Sequence, residues 1–240
     1  MISTLTTAEA RIQASEYTLP YHWIGMDHNC LLRYVRLSVQ IGELIRHHAE
    51  PGRGLDIGCG DGRSTYEVAE VIGPDYQLIG TDYDARAIHF ARFFAPEVEF
   101  QVADATGELP AEDGSLAFVY SREVLEHIPP DQVARFLTEQ ERVLQPGGIV
   151  VVTVPSRRLK TPAKHFQHFD QQTLRRVFSA FEELAIFGFG HRPRGLLLGA
   201  IYQLLDRCPG LWRLYQGSWE PTTPDRGDIL VGCFRKKSKD

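Results

Sequence analysis

The sequence predicts an α/β protein built on a doubly wound, mostly parallel seven-stranded sheet. From about residue 53 onward, short apolar runs alternate with segments of helical periodicity, as expected when helical crossovers connect parallel strands. Residues 149–154 form an unbroken β-branched run, which is typical of a strand buried on both faces. A glycine-rich stretch at 58–62 separates the first apolar run from a helical pattern, at the position where such folds bind cofactors.

The first fifty residues do not follow this alternation and predict a helical extension. Residues 1–20 carry no strong pattern, so we expect a loosely attached segment or a short helix there. One amphipathic helix follows and ends before Pro51. Its apolar positions recur every three or four residues, at Leu31, Tyr34, Leu37, Ile41 and Leu44. We therefore assign residues 1–50 to an N-terminal helical lid or buttress and residues 51–240 to the main domain.

The main domain consists of strands separated by helices. Strands are predicted at 54–57, 77–81, 98–102, 116–120, 149–154, 183–187 and 229–234. Helices are predicted at 64–71, 85–94, 133–143 and 171–178, with Asp84 and Asp170 as N-caps. Between the last two strands, residues 192–228 form an apolar insertion, with helical spacing at 195–215 and a loop from 221. The basic tail at 236–239 is expected to be solvated.

Composition limits the classes of protein to consider. The 240 residues are 43% hydrophobic and 24% charged, which is typical of a packed chain long enough for one sizeable domain. No apolar window approaches the roughly 18 residues of a membrane helix, and the N-terminus lacks a signal-peptide pattern. The four cysteines include no CxxC pair, which favours reduced thiols and a cytoplasmic location. A net charge of −5 argues against broad nucleic-acid binding.

The glycine-rich stretch departs from the common phosphate-binding fingerprints. The dinucleotide pattern G-x-G-x-x-G would need a third glycine where Arg63 stands, and Asp56 lies two residues before Gly58. The P-loop pattern G-x-x-x-x-G-K-[ST] is also missing from the sequence. These departures argue against a nicotinamide dinucleotide and against a P-loop, and they leave the identity of the cofactor open at this point.

Four segments, in order, resemble the class I S-adenosylmethionine-dependent methyltransferase family, and most closely its small-molecule members such as the quinone-biosynthesis enzymes. They are D-I-G-C-G-D-G at 56–62, Asp82 ending the second strand, V-A-D-A at 102–105 and L-Q-P-G-G at 144–148. The resemblance covers about residues 50–190 and implies a Rossmann-like methyltransferase fold. It also implies S-adenosylmethionine as cofactor, S-adenosylhomocysteine as product, and cofactor contacts from Asp56, Gly58, Cys59, Gly60, Gly62, Asp82, Tyr83, Asp104, Ala105 and Ser121.

The resemblance implies a role for each strand-end acid. Asp56 suits the methionine end of the cofactor, whose ammonium and sulfonium groups are cationic. Asp82 is expected at the ribose hydroxyls and Asp104 at the adenine amino group. The residues themselves leave simpler roles open, because aspartates also cap turns and helices and occur in solvated loops. Cys59 is interpreted as a small packing residue and not as a nucleophile.

The acceptor side is expected in two loops at the carboxyl ends of the fourth and fifth strands. The first contains E-H-I-P at 126–129, and the second is a basic, histidine-containing stretch at 157–169. Such loops face one cleft in a doubly wound sheet. We expect this cleft to bring together Glu126, His127, His165 and His168.

Three interpretations of this group stay open. In the first, His127, or else His165 or His168, is a general base for an acceptor hydroxyl. In the second, Glu123, Glu126, His127 and a downstream histidine bind a divalent metal, which resembles the small-RNA 3′-terminal 2′-O-methyltransferases. If a helical turn starts here, the first three residues lie on one side of it, at i, i+3 and i+4. In the third, Glu126 and His127 are structural and His168 precedes the next helix.

The residues and the resemblance together predict methyl transfer to a hydroxyl or amine of a small or carrier-linked metabolite, such as a sugar, quinol or secondary metabolite. The alternatives are a metal-dependent RNA ribose 2′-O-methyltransferase and a non-catalytic S-adenosylmethionine-binding regulatory protein. A homodimer is also open, because the apolar insertion can form a dimer face, a lid, a surface for a lipid-linked substrate or ordinary core.

Two further groups have two possible roles each. The aromatic stretch that contains Tyr21, His22 and Trp23 either closes over the acceptor or attaches the N-terminal helix to the sheet. A basic group either forms a cationic rim for an anionic acceptor or lies in a solvated loop. Its members are Arg157, Arg158, Lys160 and Lys164.

Overall fold

The computed structural model describes residues 17–25, 28–190 and 220–237. A π-helical turn, Tyr21–Gly25, precedes five helices, which are α1 (His28–His48), α2 (Arg63–Ile72), α3 (Ala85–Phe94), α4 (Val133–Val143) and α5 (Gln171–Val177). The helical spacing predicted at 195–215 and the patternless segment at 1–16 lie outside the described residues. Among the described helices, none combines the length and apolarity needed to cross a membrane.

Within the described ranges, eight strands form one mixed sheet in the order β3-β2-β1-β4-β5-β8-β6-β7. Their bounds are β1 (Arg53–Ile57), β2 (Gln77–Asp82), β3 (Glu99–Val102), β4 (Leu116–Arg122), β5 (Leu144–Pro155), β6 (Glu182–Phe189), β7 (Pro221–Thr222) and β8 (Ile229–Arg235). The first five strands pair in parallel, and β8 runs antiparallel between β5 and β6. The doubly wound, mostly parallel prediction is confirmed.

The predicted count of seven strands is wrong by one short edge strand. In β7, Thr222 pairs with Gly188 and Pro221 pairs with Phe189, where a loop was expected. Two residues, one of them a proline without an N–H, do not produce a strand pattern, and proline is tolerated at a sheet edge. The backbones approach closely here, since a β-carbon on Gly188 would lie 2.4 Å from the carbonyl oxygen of Thr223.

The central strands are buried on both faces because their side chains alternate between two hydrophobic cores. Val150 and Val152 of β5 face a core that contains Phe136 of α4. Val151 faces the opposite core, which includes Leu37 of α1. The helix α1 thus packs directly on the sheet, where Leu37, Ile41 and Ile45 are fully buried.

The two predicted helix N-caps are confirmed, whereas the predicted solvation of the C-terminal tail is wrong for one residue. Asp84 accepts a hydrogen bond from the backbone N–H of Arg86 at 2.9 Å, and Asp170 accepts one from Thr173 at 2.7 Å. Both are N-caps, as predicted. In the tail, Lys236 is half-buried, and its ammonium donates to the carbonyl oxygens of Glu141 and Leu144, at 2.6 Å each. The expectation of a solvated tail is therefore wrong for Lys236.

Candidate active site

The cofactor loop, residues 58–62, is held against the end of β2. The backbone N–H groups of Gly58 and Cys59 donate to the carbonyl oxygen of Thr81 at 2.7 and 2.8 Å. The N–H of Gly60 donates to the Asp82 carboxylate at 2.9 Å. Gly58 and Gly60 have φ values of +77° and +57°, a region that only glycine adopts without strain. The loop therefore turns sharply at these two residues.

The space beside two loop residues, Gly58 and Gly62, is too small for any side chain larger than that of glycine. A β-carbon on Gly58 would lie 2.4 Å from Val124, which follows β4, so the cofactor loop and the acceptor-side loop are in direct contact. A β-carbon on Gly62 would lie 2.7 Å from the β-carbon of Ala91. The role of Gly62 in this structure is thus close packing against α3.

Asp56 lies buried beneath the loop with half of its carboxylate unsatisfied. Its Oδ2 accepts hydrogen bonds from Tyr120 at 2.7 Å and Thr65 at 2.8 Å. Its Oδ1 has no partner among the described residues, and neither does the buried hydroxyl of Ser121 on the neighbouring β4. Burial raises the pKa of Asp56 to about 7, against the lowering effect of its two hydroxyl donors. A cationic group beside Oδ1 would favour the charged carboxylate.

Asp82 connects β2 to the loop and to the helix that follows. Its two oxygens accept from the N–H groups of Gly60 and Asp84, each at 2.9 Å. Burial raises the pKa of Asp82 to about 6, although both backbone donors lower it. Each carboxylate oxygen retains a second lone pair, so Asp82 can also accept from ribose hydroxyls.

An N-terminal clamp, residues 17–25, covers the cofactor loop by binding Asp61. The backbone N–H of His22 donates to Asp61 Oδ2 at 2.8 Å, and His22 Nδ1 lies 2.9 Å from Asp61 Oδ1. The indole N–H of Trp23 donates to the Asp61 carbonyl at 2.8 Å. Trp23 also stacks on Phe94 with ring centroids 5.1 Å apart. Of the two roles open for this aromatic stretch, His22 and Trp23 serve attachment.

Tyr17 is a site residue that the sequence pattern does not reveal. Its hydroxyl lies 2.5 Å from the point that a β-carbon on Gly60 would occupy. Burial, with help from the charges of Asp82 and Asp61, raises the pKa of the Tyr17 phenol. The aromatic density of residues 17–23 was the only sequence signal that could have indicated this contact.

The remaining predicted cofactor residues have different environments. Burial raises the pKa of the Cys59 thiol, which fits a packing role. Tyr83 is exposed, Ala105 is half-buried against the core, and Asp104 is exposed at the end of β3. Asp104 Oδ1 accepts from the N–H and hydroxyl of Thr106 at 2.8 Å each, so the carboxylate stabilises a turn. Its proposed contact with adenine stays a prediction.

These features fit the cofactor that the resemblance implies. A cavity of about 450 Å³ lies between the N-terminal clamp and the first half of α3 and is lined by Tyr17, Thr18, Ala85, Arg86, His89 and Phe90. The orphaned oxygen of Asp56 offers a cationic cofactor an acidic partner. A larger cavity of about 680 Å³, lined by Arg53 and residues of 108–115, lies at the opposite end of β1. Sheets of this type bind ligands at the carboxyl ends of their strands, and this larger cavity lies away from those ends.

The acceptor-side loop after β4 starts with a strained residue. Glu123 has a φ of +55°, and its N–H donates to the carbonyl oxygen of Thr153 at 3.0 Å. A 3₁₀ turn begins only at Leu125 and ends at His127. Glu123 therefore lies outside the turn, and the helical alignment of Glu123 with Glu126 and His127 considered from the sequence is wrong.

The four residues expected to meet do so, and we call them the His–Glu cluster: Glu126, His127, His165 and His168. One ligand-type atom from each of Glu126, His127 and His165 lies within 4.8 Å of the others. The rings of His127 and His165 are 4.6 Å apart, and the N–H of Phe166 donates to the Glu126 carbonyl at 2.8 Å. The loops after β4 and β5 are thus joined at this cluster.

Glu126 is fully buried, and neither of its carboxylate oxygens has a hydrogen-bond partner in the described part of the chain. Burial raises its pKa well above the ordinary value, and the charge of Glu123 raises it further. Buried carboxylates nearly always have partners. A buried carboxylate without a hydrogen-bond partner, placed among histidines, therefore indicates a candidate functional site.

The hydrogen bonds of the histidines define their neutral tautomers. His168 Nδ1 lies 3.2 Å from the carbonyl of Leu159, and His165 Nδ1 lies 2.9 Å from His168 Nε2. Because a carbonyl only accepts, neutral His168 donates from Nδ1 and accepts at Nε2. His165 must then donate from Nδ1, which leaves its own Nε2 as an acceptor. Burial, and then the charges of His127, His168 and Lys164, lower the pKa of His165 to about 4.

The basic rim considered from the sequence is mostly engaged in contacts within the protein. The guanidinium of Arg157 pairs with Asp170 and also donates to the His168 carbonyl at 3.2 Å. Arg158 donates to the carbonyl of Asp225 at 3.0 Å. These arginines tie the loop after β5 to neighbouring segments, and their pairing opposes the rim interpretation.

Comparison with known proteins agrees with this geometry. The family model for the methyltransferase domain matches residues 55–148. A probable S-adenosylmethionine-dependent methyltransferase of Mycobacterium tuberculosis is 34% identical over 149 residues, which cover 58% of this chain and 52% of that protein. Tocopherol O-methyltransferase from Arabidopsis thaliana is 34% identical over 134 residues, covering 53% of this chain and 37% of the plant protein.

A solved structure supports the fold. The chain resembles an S-adenosylmethionine-dependent methyltransferase of Methanosarcina mazei with a TM-score of 0.58 and 18% identity, over 82% of this chain and 98% of that one. The chain spans about half the length of the mycobacterial relative. The segment that matches the family model contains the cofactor loop, Asp82 and Glu126. Residues 55–148 are therefore similar to a methyltransferase domain, and S-adenosylmethionine is the cofactor that this similarity implies.

Proposed function

We propose that this protein transfers a methyl group from S-adenosylmethionine to a hydroxyl of a small or carrier-linked metabolite. The observation that carries the proposal is the contact between the two halves of the site. Val124, one residue before the turn that contains Glu126 and His127, packs against Gly58 of the cofactor loop. The His–Glu cluster therefore lies in the loops beside the cofactor loop, where an acceptor can align with the donor.

The chemistry of the cluster favours a hydroxyl. The cofactor supplies an activated methyl group, so the protein must align the acceptor and manage its proton. A hydroxyl becomes an effective nucleophile as it loses its proton, and a neutral imidazole is suited to take it.

Two features favour a small acceptor over RNA. The chain carries a net charge of −5, and RNA binding depends strongly on cationic contacts with phosphates. In addition, Arg157 and Arg158 are engaged with Asp170 and the Asp225 carbonyl. We therefore place RNA ribose methylation second, with an oligonucleotide as one arm of the test.

The test has a binding step and a transfer step. Calorimetry with S-adenosylmethionine should show binding to the wild-type chain. Methyl-labelled cofactor should then deliver label to members of a panel of sugars, quinols and other hydroxylated metabolites. The same panel contains matched amines and a short RNA with a free 3′-terminal ribose. Label found only on amines or only on RNA would overturn the proposal, and so would failure to bind the cofactor.

Substitution within the cluster separates acceptor chemistry from cofactor binding. His165→Ala should retain cofactor affinity and lose at least tenfold in transfer rate, because it removes a side chain of the cluster that would contact the acceptor hydroxyl, and loss of such a group typically costs 10²–10⁴-fold. The exposed His47 on α1 supplies a matched control, and His47→Ala should retain both properties. Equal transfer by the two variants would mean that the cluster is structural.

A further inference from the structure

We propose that Glu126, His127 and His165 form a binding site for a divalent first-row transition metal ion. The binding site is argued from the geometry alone. Its use in methyl transfer, where the ion would hold the acceptor hydroxyl, rests on the proposed function. The ligand set is the one considered from the sequence without Glu123, and the downstream histidine is His165.

The three side chains already converge. Their ligand atoms lie within 4.8 Å of one another. An ion bound to each at about 2.1 Å would separate the ligand atoms by about 3 to 4 Å. Modest side-chain rotation within the existing loops is therefore sufficient. The carbonyl of Glu126 is bonded to Phe166 at 2.8 Å, which holds the two ligand-bearing loops together before any ion binds.

Glu126 provides a second, independent observation. Both carboxylate oxygens are buried and have no partner within the described residues. Burying a carboxylate without a partner costs several kcal/mol on general grounds, and this carboxylate faces two imidazole rings. A divalent cation would supply the missing partner and favour the charged form.

The histidines have the outer hydrogen bonds that metal-binding histidines usually have. A ligating histidine donates its other ring N–H to a carbonyl or another acceptor, which fixes its orientation. His127 Nδ1 lies 3.1 Å from the carbonyl of Lys164, and His165 Nδ1 donates to His168 Nε2 at 2.9 Å. In both residues Nε2 is then the nitrogen that would act as ligand. His168 is a positioning residue in this arrangement.

The donor set indicates the class of ion. Two imidazoles and one carboxylate suit Zn²⁺, Fe²⁺, Co²⁺ or Mn²⁺, whereas Mg²⁺ and Ca²⁺ prefer oxygen ligands. Three protein ligands also leave coordination positions open for a hydroxylated acceptor. The site therefore fits an ion with open positions for substrate better than it fits a structural ion whose positions are all filled by protein.

The experiment measures metal binding without substrate. The full chain, treated with a chelator and exchanged into metal-free buffer, is titrated calorimetrically with Zn²⁺ and separately with Mn²⁺. One ion per chain should bind to the wild type. Glu126→Gln and His165→Ala should each weaken that binding by tenfold or more, and His47→Ala should leave it unchanged. Stoichiometric binding that both cluster variants retain would overturn the proposal, as would the lack of binding by the wild type.

Two additional measurements complete the test. The first uses only the wild-type protein, so its result does not depend on whether a variant folds. Mn²⁺ should broaden the imidazole resonances of His127 and His165 in the intact wild-type protein and leave those of His47 sharp. Lys164→Met removes a positive charge that acts on Glu126, so it should tighten metal binding. Metal binding without methyl transfer would defeat the proposed function alone. Methyl transfer that persists in chelator, with no metal bound, would overturn the use of the ion in the reaction, and the titration decides the binding site itself.

Discussion

The hydroxyl oxygen of Tyr17 lies 2.5 Å from the point that a β-carbon on Gly60 would occupy. Gly60 also donates its N–H to Asp82 at 2.9 Å. The N-terminal clamp therefore touches the cofactor loop at the residue that connects the loop to the end of β2. A change at Gly60 should affect both the clamp and the cofactor cradle.

The first prediction concerns the space at Gly60. Gly60→Ala should destabilise the fold by more than Gly114→Ala, and it should also weaken S-adenosylmethionine binding. Both glycines have positive φ values, +57° and +65°, but nothing lies within 4 Å of a β-carbon at Gly114. The control thus carries only the backbone strain of about 1–2 kcal/mol. Urea unfolding and calorimetry measure the two effects.

A double-mutant cycle isolates the contact with Tyr17. In a Tyr17→Ala background the excess destabilisation by Gly60→Ala should shrink, because the clashing hydroxyl is gone. If the excess is the same in both backgrounds, the clamp does not rest on Gly60 in solution.

The second prediction concerns the attachment of the clamp to Asp61. The Asp61 side chain is fully buried, and His22 contacts both of its oxygens. Asp61→Asn exchanges one acceptor oxygen for a donor that faces an N–H, so it should cost about 1–3 kcal/mol. The exposed Asp113, which pairs with Arg142, gives a control in which Asp113→Asn should cost less than about 1 kcal/mol.

Hydrogen exchange provides a local measurement of the same attachment. The indole proton of Trp23, which is bonded to the Asp61 carbonyl, should exchange faster in Asp61→Asn than in the wild type. Unaltered exchange together with unaltered stability would show that His22 and Asp61 contribute nothing to the clamp.

The third prediction concerns the pH dependence of stability at Asp56. The pKa of this buried group is raised from an ordinary value near 4 to about 7. Its stabilising contribution is therefore fully present below about pH 4 and is lost as the pH rises through 7. Asp56→Asn should gain stability relative to the wild type between pH 5 and 8, by on the order of a few kcal/mol. A stability difference that is constant across this range would contradict the assignment.

Cofactor affinity should show the opposite dependence on pH. The methionine end of S-adenosylmethionine is cationic, and the ionised form of Asp56 binds it better. Wild-type affinity should therefore rise between pH 6 and 8, and Asp56→Asn should bind more weakly, with a flatter profile. Calorimetry at several pH values measures both. Equal profiles for the two proteins would place the methionine end elsewhere.

The sequence predicted the elements and contacts that depend on periodicity and on the order of strands. Seven strands, five helices and the meeting of Glu126 with His165 follow from apolar spacing and from the convergence of parallel strand ends. Periodicity says nothing about a segment outside the pattern. The contact of Tyr17 with Gly60 therefore appears only when the chain is folded.

Other errors also arose from tertiary packing. Glu123 adopts a left-handed conformation between β4 and the 3₁₀ turn, which a helical reading of E-x-x-E-H does not anticipate. For Arg157 the sequence left a cationic rim and a solvated loop open, and the structure instead pairs it with Asp170 thirteen residues later. In both cases the partner is chosen by the geometry of a loop, which local residue preferences do not encode.

The last prediction concerns Lys236, which follows β8. Its ammonium donates to the carbonyl oxygens of Glu141, near the end of α4, and Leu144, at the start of β5, at 2.6 Å each. A cation at the C-terminus of a helix also interacts favourably with the helix dipole. Lys236→Met retains most of the apolar stem, so its effect reports the lost hydrogen bonds, and it should cost about 1–3 kcal/mol in urea unfolding. The neighbouring Lys237 is exposed and donates to one carbonyl, that of Ser179, at 3.2 Å, so Lys237→Met should cost clearly less. Equal costs for the two substitutions would mean that the ammonium of Lys236 remains hydrated in solution and does not hold α4 to the sheet.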